Sequence, residues 1–283
     1  NILLFILNSN KLKSISNNQN NLTSIKESYN NKLEEYNKLN EDILLLNDID
    51  NKISETKTNF FNKAKILEDK ILSGESNEKI AYLTFDDGPY YLSYSFLDVL
   101  DNYNVLATFF TIGLNKDNCY DNRGFDCSGL YALEASKGHT MANHTYSHAI
   151  FKGLYNSTSS FIEQVKIQEN LLMNRTGVKT NILRFPGGSA TAGRLKNDII
   201  QNLRNMGYGY VDWTCSIGDG GSLRDYNVGW NAFVNGIDSN IEVVLMHDYN
   251  KITLQLLPKE IEYLRENGYH IFPLFYESNM VKK

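Results

Sequence analysis

A buried strand that ends on two adjacent carboxylates constrains this chain more than any other stretch. Tyr82 opens the run Tyr-Leu-Thr-Phe-Asp-Asp-Gly-Pro, which closes at Pro89. Residues 80–85 have the apolar and aromatic texture of a covered strand, and Gly88-Pro89 breaks it. In α/β proteins a strand end is where a rigid scaffold presents chemistry on a loop. Two neighbouring Asp side chains there need not share one role. One can ligate a metal while the other stays free as a base.

The rest of the chain from residue 79 alternates short apolar runs with amphipathic stretches. Strands are expected over 80–85, 107–112, 140–142, 182–185, 208–212, 242–246 and 269–274. Helices are expected over 94–103, 131–137, 159–176, 198–206, 227–236 and 253–267. Alternating strands and helices imply a mostly parallel sheet. The polar residues gather at the C-terminal ends of successive strands: Asp86, Asp87, His144, Arg184, Asp212 and His247. The fold class is therefore α/β, with about seven strand-helix units and an incomplete barrel as the architecture.

Residues 1–78 differ from this α/β region, 79–283. They are rich in Asn, Lys, Glu and Ser, with no Pro and one Gly. An approximate heptad runs through Leu22, Ile25, Tyr29, Tyr36, Leu39, Ile43 and Leu46, and resumes at Ile53, Phe60, Leu67 and Ile71. Lys32, Asp50 and Lys57 interrupt it. The pattern fits one long helix, or a helical hairpin bent near 47–51, followed by a polar linker. Such an arm reads first as a helical spacer whose apolar seam also suits self-association; the plainer alternatives are an arm folded on the following domain or a partly disordered one. The chain begins with Asn, and the apolar run at 2–7 is too short to span a bilayer. It reads as the stub of a removed membrane anchor or as the first turns of the helix.

With 28 Lys and Arg against 33 Asp and Glu, the protein is mildly acidic. That balance gives no argument for a nucleic-acid partner. There are three cysteines. Cys119 and Cys127 share one polar segment and either close a short loop, as in an oxidising compartment, or remain surface thiols. No CxxC pair points to a cysteine zinc site.

His144 and His148 stand four apart in His-Thr-Tyr-Ser-His. On a helical turn that spacing puts both imidazoles on one face, within reach of one metal ion. With an Asp at a strand end they form the two-His, one-carboxylate set that leaves a coordination position open for hydrolysis. The remaining Asp is then a base, and a base beside a metal needs an orienting cation. Arg184, which opens Arg-Phe-Pro-Gly-Gly, is the candidate, and the Gly-rich loop behind it offers backbone N–H groups to an oxyanion. His247 follows a buried strand, and Asp212-Trp213 supplies a carboxylate that could hold its imidazole charged for protonating a leaving amine. His139 reads as a packing or hydrogen-bonding residue, and His270 has no evident partner. Cys215 is expected to be buried beside the site. Trp230 and the loop 218–221 are either a sugar groove or plain surface.

Taken in order, Asp-Asp-Gly-Pro, His-Thr-Tyr-Ser-His, Arg-Phe-Pro-Gly-Gly, Asp-Trp and Leu-Met-His resemble the five motifs of the polysaccharide deacetylase family. This is the NodB-homology family, carbohydrate esterase family four, and the resemblance covers roughly 79–275. It implies a distorted (β/α) barrel that hydrolyses the acetamide of N-acetylated sugars. By motif position, Asp86 is the base and Asp87, His144 and His148 are the metal ligands. Arg184 orients the base, and the Gly187 N–H helps bind the oxyanion. Asp212 tunes the acid His247, and Trp213 and Leu245 wall the acetyl methyl group. The implied cofactor is a divalent metal, Zn²⁺ first, with Co²⁺ or Mn²⁺ as alternatives. Gly187 replaces a bulkier residue of the commoner motif, which should widen the site or loosen the loop. The implied substrate is N-acetylglucosamine in cell-wall peptidoglycan, outside the cytoplasm. The alternatives are another acetylated polysaccharide, such as chitin oligomers, exopolysaccharide or xylan, or a non-catalytic wall-binding or scaffolding protein that keeps the fold.

Overall fold

The computed structural model describes residues 2–113, 127–221, 223–275 and 278, excepting the side chains of 2–6 and 48–57. It divides into two compact units, residues 1–60 and 61–283. Helix α1 (Ile2–Ser73) runs from the first into the second. It is one continuous helix, so the hairpin alternative does not form. Nothing in its sequence would break it before Gly74, beyond which the Glu75 N–H reaches back to the Lys70 carbonyl at 2.8 Å. No helix among the described residues is long and apolar enough to cross a membrane.

The second unit is a curled (β/α) barrel of parallel strands. In chain order its elements are β1 (Lys79–Asp86), α2 (Ser93–Asn102), β2 (Thr108–Thr111), α3 (Leu130–Ser136), β3 (Thr140–Asn143) and α4 (Thr158–Thr176). They continue through β4 (Ile182–Leu183), α5 (Lys196–Asn205), β5 (Gly209–Tyr210), β6 (Cys215–Ser216), α6 (Tyr226–Gly236), β7 (Ile241–His247), α7 (Lys251–Glu266) and β8 (Tyr269–Phe272). The strands neighbour one another in the order β5-β4-β3-β2-β1-β7-β6, and β8 pairs with the first half of β1. All seven expected strands are present. The short β6 is additional to them, because two residues carry no periodic signal.

Alternation along β1 separates two cores. Ala81, Leu83 and Phe85 face the helices, where they pack with Phe96, Leu97, Leu257, Ile261 and Leu264. Ile80 and Tyr82 face the barrel interior with Phe110, Val211 and Val243. The period of two puts Thr84 and Asp86 on that same inner face. The last turns of α1 join this interior: Leu67 and Ile71 pack on it, and the buried Glu68 accepts a hydrogen bond from the Tyr82 hydroxyl at 3.0 Å.

β5 and β6 are the two ends of the strand order, so the barrel is open between them. Residues 211–214 cross that opening outside any strand. Two further expectations are corrected by packing. His270 meets Glu78 at 2.8 Å, and Trp230 stacks on Phe233 in the helix layer with Lys259 over its ring rather than lining a groove. His139 is buried and accepts a hydrogen bond from the Ala107 N–H at 3.1 Å, as expected of a packing residue. Cys215 is buried, against the helix-layer core rather than at the site. Cys127 is also fully buried, whereas Cys119 and its pairing lie outside the described residues.

Candidate active site

Asp86 and Asp87 are brought to one place by a backbone turn. In a continued strand, successive side chains would point to opposite faces. Asp87 instead takes φ +70, outside the strand region, which swings its carboxylate back over the inner mouth of the barrel. The Asp87 N–H is held by the Phe110 carbonyl of β2 at 3.1 Å.

The histidine pair is not helical. Thr145 and His148 have φ of +65 and +49, and the segment is a tight loop after β3. Asn143 pins it: its side-chain oxygen accepts from the Thr145 N–H at 2.8 Å, and its amide donates to the Val165 carbonyl at 2.9 Å. The loop achieves what a helical turn was expected to do. His144 Nε2 and His148 Nε2 lie 3.4 and 3.3 Å from Asp87 Oδ1.

These three residues fit a divalent cation on two grounds. Their ligand atoms all lie within 4.8 Å of one another, and Asp87 Oδ1 is buried with no hydrogen-bond donor. Burial, together with the nearby His148, pushes His144 down to a pKa of about 3, so it is neutral. Its Nδ1 lies 2.8 Å from the Arg184 carbonyl, which can only accept, so the proton sits on Nδ1. Nε2 therefore presents a lone pair to a carboxylate oxygen. Two lone-pair donors facing each other without a proton between them is the arrangement a cation resolves. A backbone carbonyl that fixes the tautomer in this way is usual for metal-ligating His.

Arg184 is fully buried beside Asp86. Nη1 donates to Asp86 Oδ1 at 2.7 Å and to Thr84 Oγ1 at 2.8 Å. Nε and Nη2 donate to the carbonyls of Val211 and Asp212 at 3.3 and 2.9 Å. The guanidinium thus occupies the opening between β5 and β6 and satisfies carbonyls that no strand reaches. Its flat face lies 4.2 Å from the Phe110 ring centroid. Even beside this cation, burial keeps Asp86 above the ordinary carboxylate range. A raised pKa makes it a better proton acceptor than a solvated carboxylate.

The expected pairing of Asp212 with His247 gives way to another. Asp212 turns its carboxylate to Ser189, accepting from its N–H at 2.8 Å and its hydroxyl at 2.7 Å. His247 is held by Asp219: Nδ1 lies 2.9 Å from Oδ1, and the His247 N–H donates to Oδ2 at 2.7 Å. Register explains the exchange. Ser216 of β6 pairs with Leu245 of β7, so the loop leaving β6 arrives beside His247 three residues later. Asp212 precedes β6 and lies across the barrel opening. Thr253 Oγ1 and Asn250 Nδ2 complete the hold on residue 219. Gly220 permits the approach, because a Cβ there would fall 2.6 Å from His247 Cε1. Burial disfavours the charged imidazolium, but the Asp219 hydrogen bond and charge, with Asp86 and Asp87, outweigh it and carry the His247 pKa to about 9. In the sequence, Asp219 shows only as an Asp enclosed by glycines, which does not differ from an ordinary turn.

Asp219→Asn should therefore alter the pH profile. The burial penalty would remain and the compensating charge would go, so the His247 pKa falls. The folded value lies above the usual 6.5, so the protonated acid is present below about 9 in the parent and is lost at lower pH in the variant. Between the variant's pKa and that of the parent, the rate should drop about tenfold per pH unit. A pH–rate profile measures this. An unchanged alkaline limb would remove Asp219 from the role.

Gly187 and Gly188 both have positive φ, +74 and +85. Space expected to open at Gly187 is filled instead: a Cβ there would meet Thr191 Oγ1 at 3.0 Å and Ile150 Cδ1 at 3.3 Å. Among the described residues no acceptor engages the Gly187 N–H. Trp213 lies against Gly188 and is half-buried. Leu245 is on the same face of β7 as His247 by strand alternation, and nearly buried.

The site thus has a buried carboxylate, Asp86, held by Arg184, three convergent candidate ligand atoms from Asp87, His144 and His148, and a histidine, His247, held by Asp219. His144 Nε2 lies 3.6 Å from Asp86 Oδ2, and His247 Nε2 lies 3.8 Å from Asp87 Oδ2, so all these groups share one pocket mouth. Comparison with known proteins identifies the family. The family model for polysaccharide deacetylase matches residues 73–211. The catalytic domain of a peptidoglycan N-acetylglucosamine deacetylase from Eubacterium rectale superposes with a TM-score of 0.66 at 31% identity, over 73% of this chain and 93% of that one. A peptidoglycan-N-acetylglucosamine deacetylase from Bacillus cereus is 29% identical over 211 residues, 71% of each chain. A chitin deacetylase from Pestalotiopsis is 30% identical over 179 residues, 63% of this chain and 56% of its own length. The shared barrel, the ordered motifs and the site they build make this chain a member of the polysaccharide deacetylase family.

Proposed function

We propose that the protein is a metal-dependent hydrolase that removes acetyl groups from N-acetylglucosamine residues of peptidoglycan. The observation that carries the chemistry is the convergence of Asp87, His144 and His148 between the Arg184-held Asp86 and the Asp219-held His247. A divalent cation on the three ligands, with Zn²⁺ favoured by two imidazoles and a carboxylate, would supply Lewis-acid polarisation of the acetamide carbonyl.

The chain's own groups account for the proton traffic. Asp86, kept in place by Arg184, accepts the proton of the attacking water. The Gly187 N–H donates to the oxygen that gains charge in the tetrahedral state, where a fixed donor is worth most. His247, charged through Asp219, passes its proton to the departing glucosamine nitrogen, and acetate leaves. Leu245 and Trp213 supply apolar walls for the acetyl methyl group.

The peptidoglycan assignment is supported by the Eubacterium rectale and Bacillus cereus relatives, and the chitin deacetylase relative keeps a second polymer in view. On this reading the enzyme works outside the cytoplasm and faces the cell wall, with the helical arm as a spacer from a membrane anchor N-terminal to it. Acetate release from purified peptidoglycan and from chitin oligomers, each with and without a chelator, tests the proposal. The expected result is faster release from peptidoglycan, abolished by the chelator and restored by Zn²⁺, Co²⁺ or Mn²⁺. Preference for chitin oligomers would move the substrate assignment, and chelator-resistant release would end the metal-dependent one.

A further inference from the structure

The seam of α1 between Leu22 and Leu46 is exposed along its whole length. Leu22, Ile25, Tyr29, Tyr36 and Leu39 are each more than half exposed, and Ile43 nearly so. In heptad terms Leu22, Tyr29, Tyr36 and Ile43 occupy one core position and Ile25, Lys32, Leu39 and Leu46 the other. An exposed apolar row this long on one helix calls for a cover. Residues 61–73 find theirs on the barrel, with Ala64, Leu67 and Ile71 at the same heptad positions. Among the described residues, 22–46 have no such cover within their own unit.

We propose that the cover is the same segment of a second copy of this chain, running antiparallel. Two independent features of the segment choose this occupant and its direction. The first is Lys32, a charge inside the seam. In a parallel, in-register pair, Lys32 would face Lys32 of the other copy, two like charges in an apolar core. In an antiparallel pair, core positions of opposite type face each other. One register then aligns the whole seam, with Leu22 opposite Leu46, Ile25 opposite Ile43, Tyr29 opposite Leu39, and Lys32 opposite Tyr36. The lysine stem lies along the tyrosine ring, and its ammonium can reach the ring face or solvent. Leu33, flanking the seam, meets Leu33 of the second copy at the two-fold axis.

The second feature is the charge distribution. Within the paired stretch, residues 22–33 carry two lysines and one acid, and residues 34–46 carry one lysine and four acids. Parallel pairing sets like against like in both halves. Antiparallel pairing sets each basic half against an acidic one, which steers association and fixes direction. The Glu35 side chains of the two copies are the one like-charge approach near the axis. They lie at the rim of the seam, where solvent screens them. The paired stretch of 25 residues is about 37 Å long at 1.5 Å per residue. The N termini leave at opposite ends, so two anchored chains could pair in this way only with the rod lying along the membrane surface.

The experiment uses the full chain and cysteine cross-linking, with the parent chain as the reference for its natural cysteines. Ile25→Cys combined with Ile43→Cys should form a covalent dimer on mild oxidation, and Ile25→Cys alone should not. Sedimentation velocity should show a dimer for the parent chain at tens of micromolar and a monomer for Leu39→Lys. Leu39→Lys should still release acetate from a small soluble substrate at the parent rate, which shows that the catalytic unit is folded. A monomeric parent chain would overturn the proposal. Efficient cross-linking of Ile25→Cys alone would overturn the antiparallel sense, since only parallel pairing brings residue 25 to itself.

Discussion

Asp87→Asn should lose the cation and the deacetylase activity together, whereas Asp86→Asn should keep the cation and lose the activity. The two residues are adjacent in sequence but differ in surroundings. Asp87 points an oxygen without a donor at two imidazole nitrogens. An amide there presents either a weaker, uncharged ligand or an N–H that repels the cation. Asp86 already engages Arg184 through one oxygen and has its pKa raised by burial. An amide in its place holds the geometry but cannot take a proton. The loss for Asp86→Asn should be about 10²–10⁴-fold in kcat, the range general-base groups supply. Calorimetric titration with Zn²⁺ beside acetate-release kinetics separates the two. Equal Zn²⁺ affinity in both variants would refute the division of roles.

Arg184→Met should destabilise the fold as well as silence the enzyme. The guanidinium is fully buried and serves four acceptors: Asp86, Thr84 and the carbonyls of Val211 and Asp212. Methionine fills some of the volume but none of the bonds. It also leaves a buried carboxylate without its cation, a loss of about 3–5 kcal/mol when one partner of a buried pair is removed. For a domain of this size that corresponds to a fall in Tm of roughly 6–20 °C. Lysine would not restore the parent, since a single ammonium cannot reproduce the planar fork that meets acceptors in several directions. Thermal unfolding followed by circular dichroism, together with kcat, is the measurement. A Tm within about 2 °C of the parent would mean that the opening between β5 and β6 closes without Arg184.

Other parts of the site are legible in the sequence because each rests on local chemistry. A covered strand that stops at Asp-Asp-Gly-Pro places carboxylates at a strand end whatever lies beside it. The His144 and His148 spacing points to a shared target, although the segment is a loop with two positive-φ residues and not the expected helical turn. Arg184 is legible from its place between an apolar strand and a Gly-rich turn. Asp219 is not. Its role depends on β6, a strand of two residues whose pairing with β7 is a long-range event. The filled space at Gly187 is hidden for the same reason, since Ile150, which fills it, comes from a different loop.

The sequence by itself determined the alternation of strands and helices, the ends at which polar residues collect, and the candidate groups found there: two adjacent carboxylates, two histidines four apart, an arginine and a further histidine. These follow from periodicity and residue chemistry, which act over a few neighbours. Only the tertiary structure decided which carboxylate serves which cation. Strand order leaves the barrel open between β5 and β6, and Arg184 occupies the opening. The register of β6 against β7 then delivers Asp219 to His247 and leaves Asp212 to Ser189. Two aspartates a few residues apart are parted by where the sheet ends, a property of the whole barrel and not of any segment within it.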